Sequence, residues 1–546
     1  MNYSTYIRTL LTLLLLCCGI TSHSQVIPEP VADEAVYLFL DELAGDGIID
    51  LNRAVKPYSR RMITECLKEA ESQSDKLSRR QHKELTFWLS NYSFTEGDAM
   101  LKLLFNPATA QYRDSLFTVT VSPILGVTAG VTSYGPMDGA DGESSGSRKS
   151  TLAWKNGAKV YGSYGRWAFF AALQDNHQDP LPGAPEYLTR ERGGHIKNGT
   201  DFSEMTGGVS YMWRWGDISF LKDSPVWGSG YAGTNILSGR APSFMQIRLH
   251  LKPADWVEMT WLHGWLTSMV VDSSRSYWLT NAYGTTYREI YHKKYIAANL
   301  FTFTPVPRLH ISLGNSVIWS DPRITPYYLM PIFFYKSVDH GVNSGINNSN
   351  AQMFIDISSN NIRHLHLYGT LFIDELSTAR FTTSDYNFFS WKGGFRVGNF
   401  SFTPDIWFTA ECTFTYPLTF QHNVPVTTFE NQGYNMGHWL RDNSRSWYFA
   451  LDYRPVRTLT LRLWHERSER GPDYQGIGGS RLGLPYLGTT EWKNVVTGFE
   501  AGYLITGGVQ VRASVTKRNA EGVETWYPAH LYGSTTTLSG GVVWGF

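Results

Sequence analysis

Cysteine is scarce in this chain: 4 in 546 residues, of which Cys17 and Cys18 sit in an apolar leader stretch. The other two, Cys66 and Cys412, fall in elements of different expected type, which argues against a disulfide framework or a cysteine metal site. Neither charge is in excess. With 48 Lys and Arg against 48 Asp and Glu, the formal net charge is +0, and no general attraction to nucleic acid follows. Beyond the leader no continuous apolar run reaches the length of a spanning helix, so a helical membrane protein is excluded. No metal-ligand spacing recurs, and neither a metal nor another cofactor is expected. Gly228, Gly230 and Gly233 match G-x-G-x-x-G, but Pro225 precedes them and Pro242 follows. A dinucleotide site needs a strand before and a helix after, so that reading is rejected.

What the chain does have is aromatic residues, 14% of the total with 31 Tyr and 19 Trp, and 50 Gly. The carboxy-terminal stretch Ser534–Phe546 places Leu538, Gly540, Val542 and Trp544 on one face and small, mostly polar residues on the other. A two-residue period with one apolar face fits a strand between lipid and a polar interior. The same alternation runs through Trp167, Phe169, Ala171 and Leu173; through Ile406, Phe408, Ala410, Cys412 and Phe414; and through Val509, Val511, Ala513 and Val515. Charges such as Glu411, Arg462 and Arg512 fall on the opposite face. A lipid-facing charge costs about 2–4 kcal/mol at mid-membrane, so this sorting favours a barrel over a soluble sandwich. About 450 residues, at about two dozen per strand and loop, allow sixteen to eighteen strands.

The amino terminus reads as a secretory signal. Arg8 supplies positive charge, Leu10–Ile20 is apolar but short, and Ser22–Ser24 offers small residues before a cleavage point. The expected organisation is a signal peptide over 1–24, a helical segment over 25–95 and a barrel over 96–546. In the helical segment Val36, Leu40 and Leu43 share one face, with Asp33 as its amino cap. Ile63, Leu67 and Ala70 share a second. Ser78 and Gln81 form a capping box before a third, Leu85, Trp88 and Leu89. The segment is either a stabilising cap or a dock for a periplasmic or export-channel partner. Polar, Gly- and Pro-rich stretches at 135–150, 178–201 and 343–350 are expected as external or lumen-folded loops, with 178–201 a possible plug.

One tract, Trp215–Phe244, carries the aromatics Trp227 and Tyr231 among closely spaced glycines. On the residues alone, a packed plug loop in which Trp227 fills space is favoured over sugar stacking. The tract PVWGSGYAGTNILSGRAPSF resembles the central segment of the Wzi capsule-assembly family of outer-membrane proteins. PYYLMPIFFY (Pro326–Tyr335), YGTLFIDEL (Tyr368–Leu376), ECTFTYPLTF (Glu411–Phe420) and FENQGYNMGHWLRDNSR (Phe429–Arg445) are similar to further parts of it. The stretch VYLFLDELAGDGIIDLNRAVKPYSRRMI resembles the helical segment of Bacteroidetes-type members. The resemblance implies an all-β transmembrane barrel of about 18 antiparallel strands with a small N-terminal α-helical domain, in the outer membrane of a Gram-negative cell. It also implies a lectin-like role in holding exported capsular or surface polysaccharide.

For binding an acidic polysaccharide, forked arginines, aromatic faces and carboxylates are the useful groups. The candidates are Trp227, Tyr231, Arg240, Glu411, His438, Arg441 and Asp442. A diffusion porin or oligosaccharide channel is the alternative, and an outer-membrane hydrolase ranks behind it. Asp374 and Glu375 are adjacent on a strand and face opposite ways, a poor geometry for paired carboxylates. Nothing in the sequence sets Ser444 against His438 as nucleophile and base. No catalytic residue is expected, and the partners are surface polysaccharide and membrane lipid.

Overall fold

The computed structural model describes residues 26–31, 34–92, 102–105, 108–114, 116–134, 148–180, 196–197, 200–321, 325–342, 348–381, 387–474, 483–506, 508–523 and 531–545. The expected leader, the Asp33 cap, most of the loops at 135–150 and 178–201, and Phe546 lie outside them.

The chain builds an eighteen-stranded antiparallel barrel, at the upper end of the expected range. Its strands are β1 (Phe117–Tyr134), β2 (Arg148–Tyr164), β3 (Trp167–Asp179), β4 (Asp201–Trp213), β5 (Gly216–Asp223) and β6 (Phe244–Ala254). β7 (Val257–Val271), β8 (Tyr291–Val306), β9 (Leu309–Trp319), β10 (Ser349–Ser359), β11 (Leu365–Glu375) and β12 (Phe388–Phe400) follow. β13 (Thr403–Thr415), β14 (Ser444–Val456), β15 (Leu459–Arg470), β16 (Trp492–Thr506), β17 (Val509–Gly522) and β18 (Gly533–Trp544) complete the wall. Each strand pairs with its neighbours, and β18 closes on β1 with Leu538 opposite Val131 and Trp544 opposite Leu125. Closure leaves no free edge, the condition for a sheet to cross lipid.

The registers carry one face unbroken around the ring. Val127 pairs with Trp154, Leu173 with Met205, Val209 with Phe220, Leu463 with Phe499 and Val515 with Leu538. All of these are exposed. They form the apolar outer band, and Arg462, Glu411 and Arg512 take the inward face as the alternation requires.

One end of the barrel has short turns, such as Gly165 between β2 and β3 and Arg308 between β8 and β9, both with positive φ. The helices α1 (Glu34–Gly45), α2 (Arg60–Ser72) and α3 (Arg79–Tyr92) cap that end. Their apolar faces meet in one core, with Val36, Leu40, Leu43, Ile63, Leu67 and Ala70 fully buried. Ser59 Oγ caps α2 by accepting from Met62 N, and Ser78 and Gln81 exchange the two bonds of the expected capping box.

Charge locks the helices to the barrel. Arg80 donates to Glu84 at 2.7 Å, to Asp405 near the start of β13 at 2.7 Å, and to Glu42. Arg454, at the end of β14, bridges Glu42 at 3.1 Å and Glu84. Burial is the main influence on Asp46 nearby, raising its carboxyl to about 7, with the Glu42 charge adding to it.

Candidate functional site in the plugged lumen

The chain between β5 and β6 turns inward and fills part of the lumen. Val226–Trp227 pairs with Val55–Lys56 from the helical segment and with Leu237–Ser238. A strand of the helical segment thereby joins two strands of the plug in a small three-stranded sheet. One half of the interior is apolar as a result: Trp227, Ile236 and Leu237 pack on Leu262, Ile296, Phe354 and Phe372 of the wall. A polar inward face was the expectation from alternation. Alternation cannot show that another part of the same chain covers the inward positions.

The polar anchors are wall carboxylates that accept plug N–H groups. Asp356 takes Ser229 N at 2.7 Å and Ser229 Oγ at 2.9 Å. Glu411 takes Tyr231 N at 2.9 Å and Ala232 N at 2.6 Å, and pairs with Lys392 at 3.4 Å. The glycines permit this approach. Gly230 has φ +152°, and a Cβ there would stand 2.3 Å from the Gly233 carbonyl and 3.1 Å from Glu411 Oε1. A second inward segment, between β13 and β14, meets the first where Ser238 N donates to Met436 O at 2.8 Å.

The other half of the interior is an open chamber of about 850 Å³ between the plug, the helical segment and the wall. Tyr231, Trp439, Tyr448 and Trp464 present rings to it. Lys155, Lys159, Arg462 and Arg512 line it together with Glu204 and Glu466. Two arginines share one carboxylate on its wall: Arg396 donates to Asp452 Oδ2 at 2.7 Å and Arg462 to Oδ1 at 2.6 Å. Arg396 lies over the Tyr231 ring at 5.1 Å, and Arg240 over Trp439 at 5.7 Å. Such a mixture of flat rings, forked cations and carboxylates suits a polyhydroxylated, charged ligand.

The structure divides the expected site residues. Tyr231 and Arg240 face the chamber. Trp227 is 1% exposed and makes an edge contact with Phe354 at 6.1 Å, so it fills space under the plug. Glu411, His438 and Asp442 are also buried. Asp442 accepts Phe420 N at 2.7 Å; burial raises its carboxyl to about 7. Burial, then the charges of Lys392 and Arg240, pushes the His438 imidazole well below its usual range, so it is neutral. Arg441 has φ +59° and donates its N–H to His438 O, a half-buried turn position. Ser444 Oγ donates to the Arg441 carbonyl at 2.8 Å. Among the described residues no three or more His, Cys, Asp or Glu gather as metal ligands.

Neither a protein-family profile nor any curated protein matches the sequence. Solved structures do match the fold. The structure of Wzi from Escherichia coli, described as an outer-membrane protein involved in group 1 capsule assembly and a carbohydrate-binding β-barrel, superposes with a TM-score of 0.57 at 15% identity. The match covers 96% of this chain and 99% of that one. Pseudomonas aeruginosa OccK9 (OpdG) matches with a TM-score of 0.41 at 11% identity, over 78% of this chain and 97% of that one. Pseudomonas aeruginosa OprD matches with a TM-score of 0.39, also at 11%, over 78% and 94%. The first superposition establishes an eighteen-stranded barrel with a Wzi-like fold.

Proposed function

We propose that this protein is an outer-membrane, lectin-like barrel that binds exported capsular or surface polysaccharide and helps hold it at the cell surface. The chamber carries the reading: aromatic rings, forked arginines and carboxylates meet in one space next to a fixed plug. The Wzi likeness, to a protein described as carbohydrate-binding, supports it. In this reading the leader is cleaved on export. The short-turn end is periplasmic, as in other outer-membrane barrels, which sets the helices in the periplasm where an export partner can reach them. Tyr231 and Arg240 are the proposed contacts from the plug, with Arg462 and Trp464 from the wall. Glu411 acts indirectly by holding the segment that presents Tyr231, and Asp442 by bracing the β13–β14 segment, which carries Trp439.

The role is binding and not turnover. The proposed contacts are stacking rings and charge forks, and Ser444 is committed to a backbone carbonyl. The decisive experiment is retention of the cell's own surface polysaccharide by purified protein in detergent, for the native chain and for Tyr231→Ala and Arg240→Ala. Retention by the native chain and its loss in the variants supports the proposal; retention unchanged in both variants removes the chamber as the site. Deleting the gene and comparing polymer on cells with polymer shed into the medium tests the cellular role.

A further inference from the structure

The connection between β9 and β10 does not stand away from the barrel. Its residues Pro326–Leu329, a short 3-10 turn, and α4 (Tyr335–Val342) fold back over the outside of the wall. The registers fix which side this is. Trp265, exposed on the outer band, pairs with Tyr295, and Tyr295 with Trp319; Leu313, also exposed, pairs with Phe301. Asn299 and Asn315 pair with each other on that same outward face, yet Asn299, Val317, Ala297 and Trp319 are all buried. What buries them is this connection, through Tyr328 and Tyr335.

Asn299 lies near the middle of β8, eight residues after Tyr291 and seven before Val306. Two carboxamides projecting from mid-wall toward hydrocarbon would be costly if left unmet. Here they are met by the connection's backbone. Asn299 Nδ2 donates to Pro331 O at 2.9 Å and Phe333 O at 2.8 Å, and Asn315 Oδ1 accepts Tyr335 N at 2.8 Å. Tyr335 Oη donates to Met330 O at 3.0 Å and accepts from Trp261 Nε1 at 2.8 Å. Pro326 and Pro331 have no N–H to satisfy. The far side of the segment is apolar and exposed: Tyr327, Leu329, Met330, Ile332 and Phe334.

Irregular backbone at membrane depth is tolerated only where protein buries its polar groups. This segment meets that condition on its inner side and continues the lipid-facing band on its outer side. We propose that residues 326–334 form a re-entrant segment embedded in the bilayer, with lipid hydrocarbon covering Tyr327, Leu329, Met330, Ile332 and Phe334, and with Asn299 and Asn315 as its anchors. The inference is independent of the polysaccharide reading.

The test is spin-label accessibility in phosphatidylcholine vesicles. Ile332→Cys is made in a Cys66→Ala, Cys412→Ser background, with Leu313→Cys as the lipid-facing reference and Tyr283→Cys, on the exposed hairpin after β7, as the aqueous one. The ratio of collisions with oxygen to collisions with a water-soluble nickel chelate is measured at each label. At Ile332 it should match Leu313 and exceed Tyr283 several-fold. A ratio equal to that at Tyr283 overturns the proposal. So does protection from both reagents with spin–spin broadening, which would show a second copy on the patch. Adding Asn299→Leu should shift the Ile332 label toward the aqueous ratio while the Leu313 label stays unchanged; no shift at Ile332 would remove Asn299 as an anchor.

Discussion

The carboxylate of Glu411 holds the backbone of Tyr231, accepting its N–H at 2.9 Å and that of Ala232 at 2.6 Å. A strand residue of the wall thereby fixes the residue that presents a ring to the chamber. Position 411 governs position 231 without itself lining the chamber.

Replacing Glu411 with Ala should free the plug. It removes the acceptor of two buried N–H groups and leaves Lys392 buried without its carboxylate, a loss of about 3–5 kcal/mol. The expected result is a lower melting temperature together with new ion conductance in planar bilayers, where the native chain stays nearly closed. A variant as silent as the native protein would show that the plug stays seated without this anchor.

Gly230→Ala should act in the same direction by a different route. The added Cβ meets the Gly233 carbonyl at 2.3 Å and the backbone sits at φ +152°, where an L side chain is strained. Conductance and melting temperature are again the readouts, and Gly341→Ala, with open space at its Cβ position, is the control.

Trp227 and Arg240 should separate stability from affinity. Trp227→Ala leaves a hole in the plug and should cost about 3–5 kcal/mol of stability. Arg240→Ala removes one fork over Trp439 and should weaken polysaccharide binding about tenfold, or ~1.4 kcal/mol, with little change in melting. Titration of polymer alongside thermal melts distinguishes them. If Arg240→Ala melted early and bound normally, its proposed role would fall.

Docking of the helical cap should weaken as pH rises. The Asp46 carboxyl titrates near 7 in the folded protein against 3.8 unfolded. Between those values the folded state binds more protons, so this residue makes stability fall from about pH 4 to about pH 7 and stay level above. Asp46 sits beside Glu42 and Arg363, and accepts from Gln81 and Asn399. Asp46→Asn keeps an acceptor and should flatten that decline in melting experiments across the window. A decline of unchanged slope would assign it to another group.

Much of the wall was legible in the chain because each strand residue declares its side by parity. Arg462, Arg512 and Glu411 fall on the inward face for the same reason that Leu463 and Phe408 fall outward. The helical segment was legible through Ile63, Leu67 and Ala70 and through the Ser78–Gln81 box, whose partners lie within one turn. The site was less so. Arg396, Tyr448 and Trp464 line the chamber but share their parity with many covered residues. The sequence resemblance drew attention to the tract around Trp227, where Tyr231 and Arg240 reach the chamber and Trp227 does not.

From the sequence alone follow a two-residue period, an apolar outer face, a helical amino-terminal segment and the absence of a spanning helix. All of these depend on neighbours in the chain or on composition. The tertiary structure decided what covers each face: the plug on one half of the lumen, the chamber in the other half, and the PYYLMPIFFY connection laid over Asn299 and Asn315 outside. Those outcomes depend on contacts between residues up to hundreds of positions apart, such as Lys56 with Val226 or Glu84 with Arg454. Local periodicity marks a surface as polar or apolar, and only the closed fold determines whether water, lipid or the chain itself lies against it.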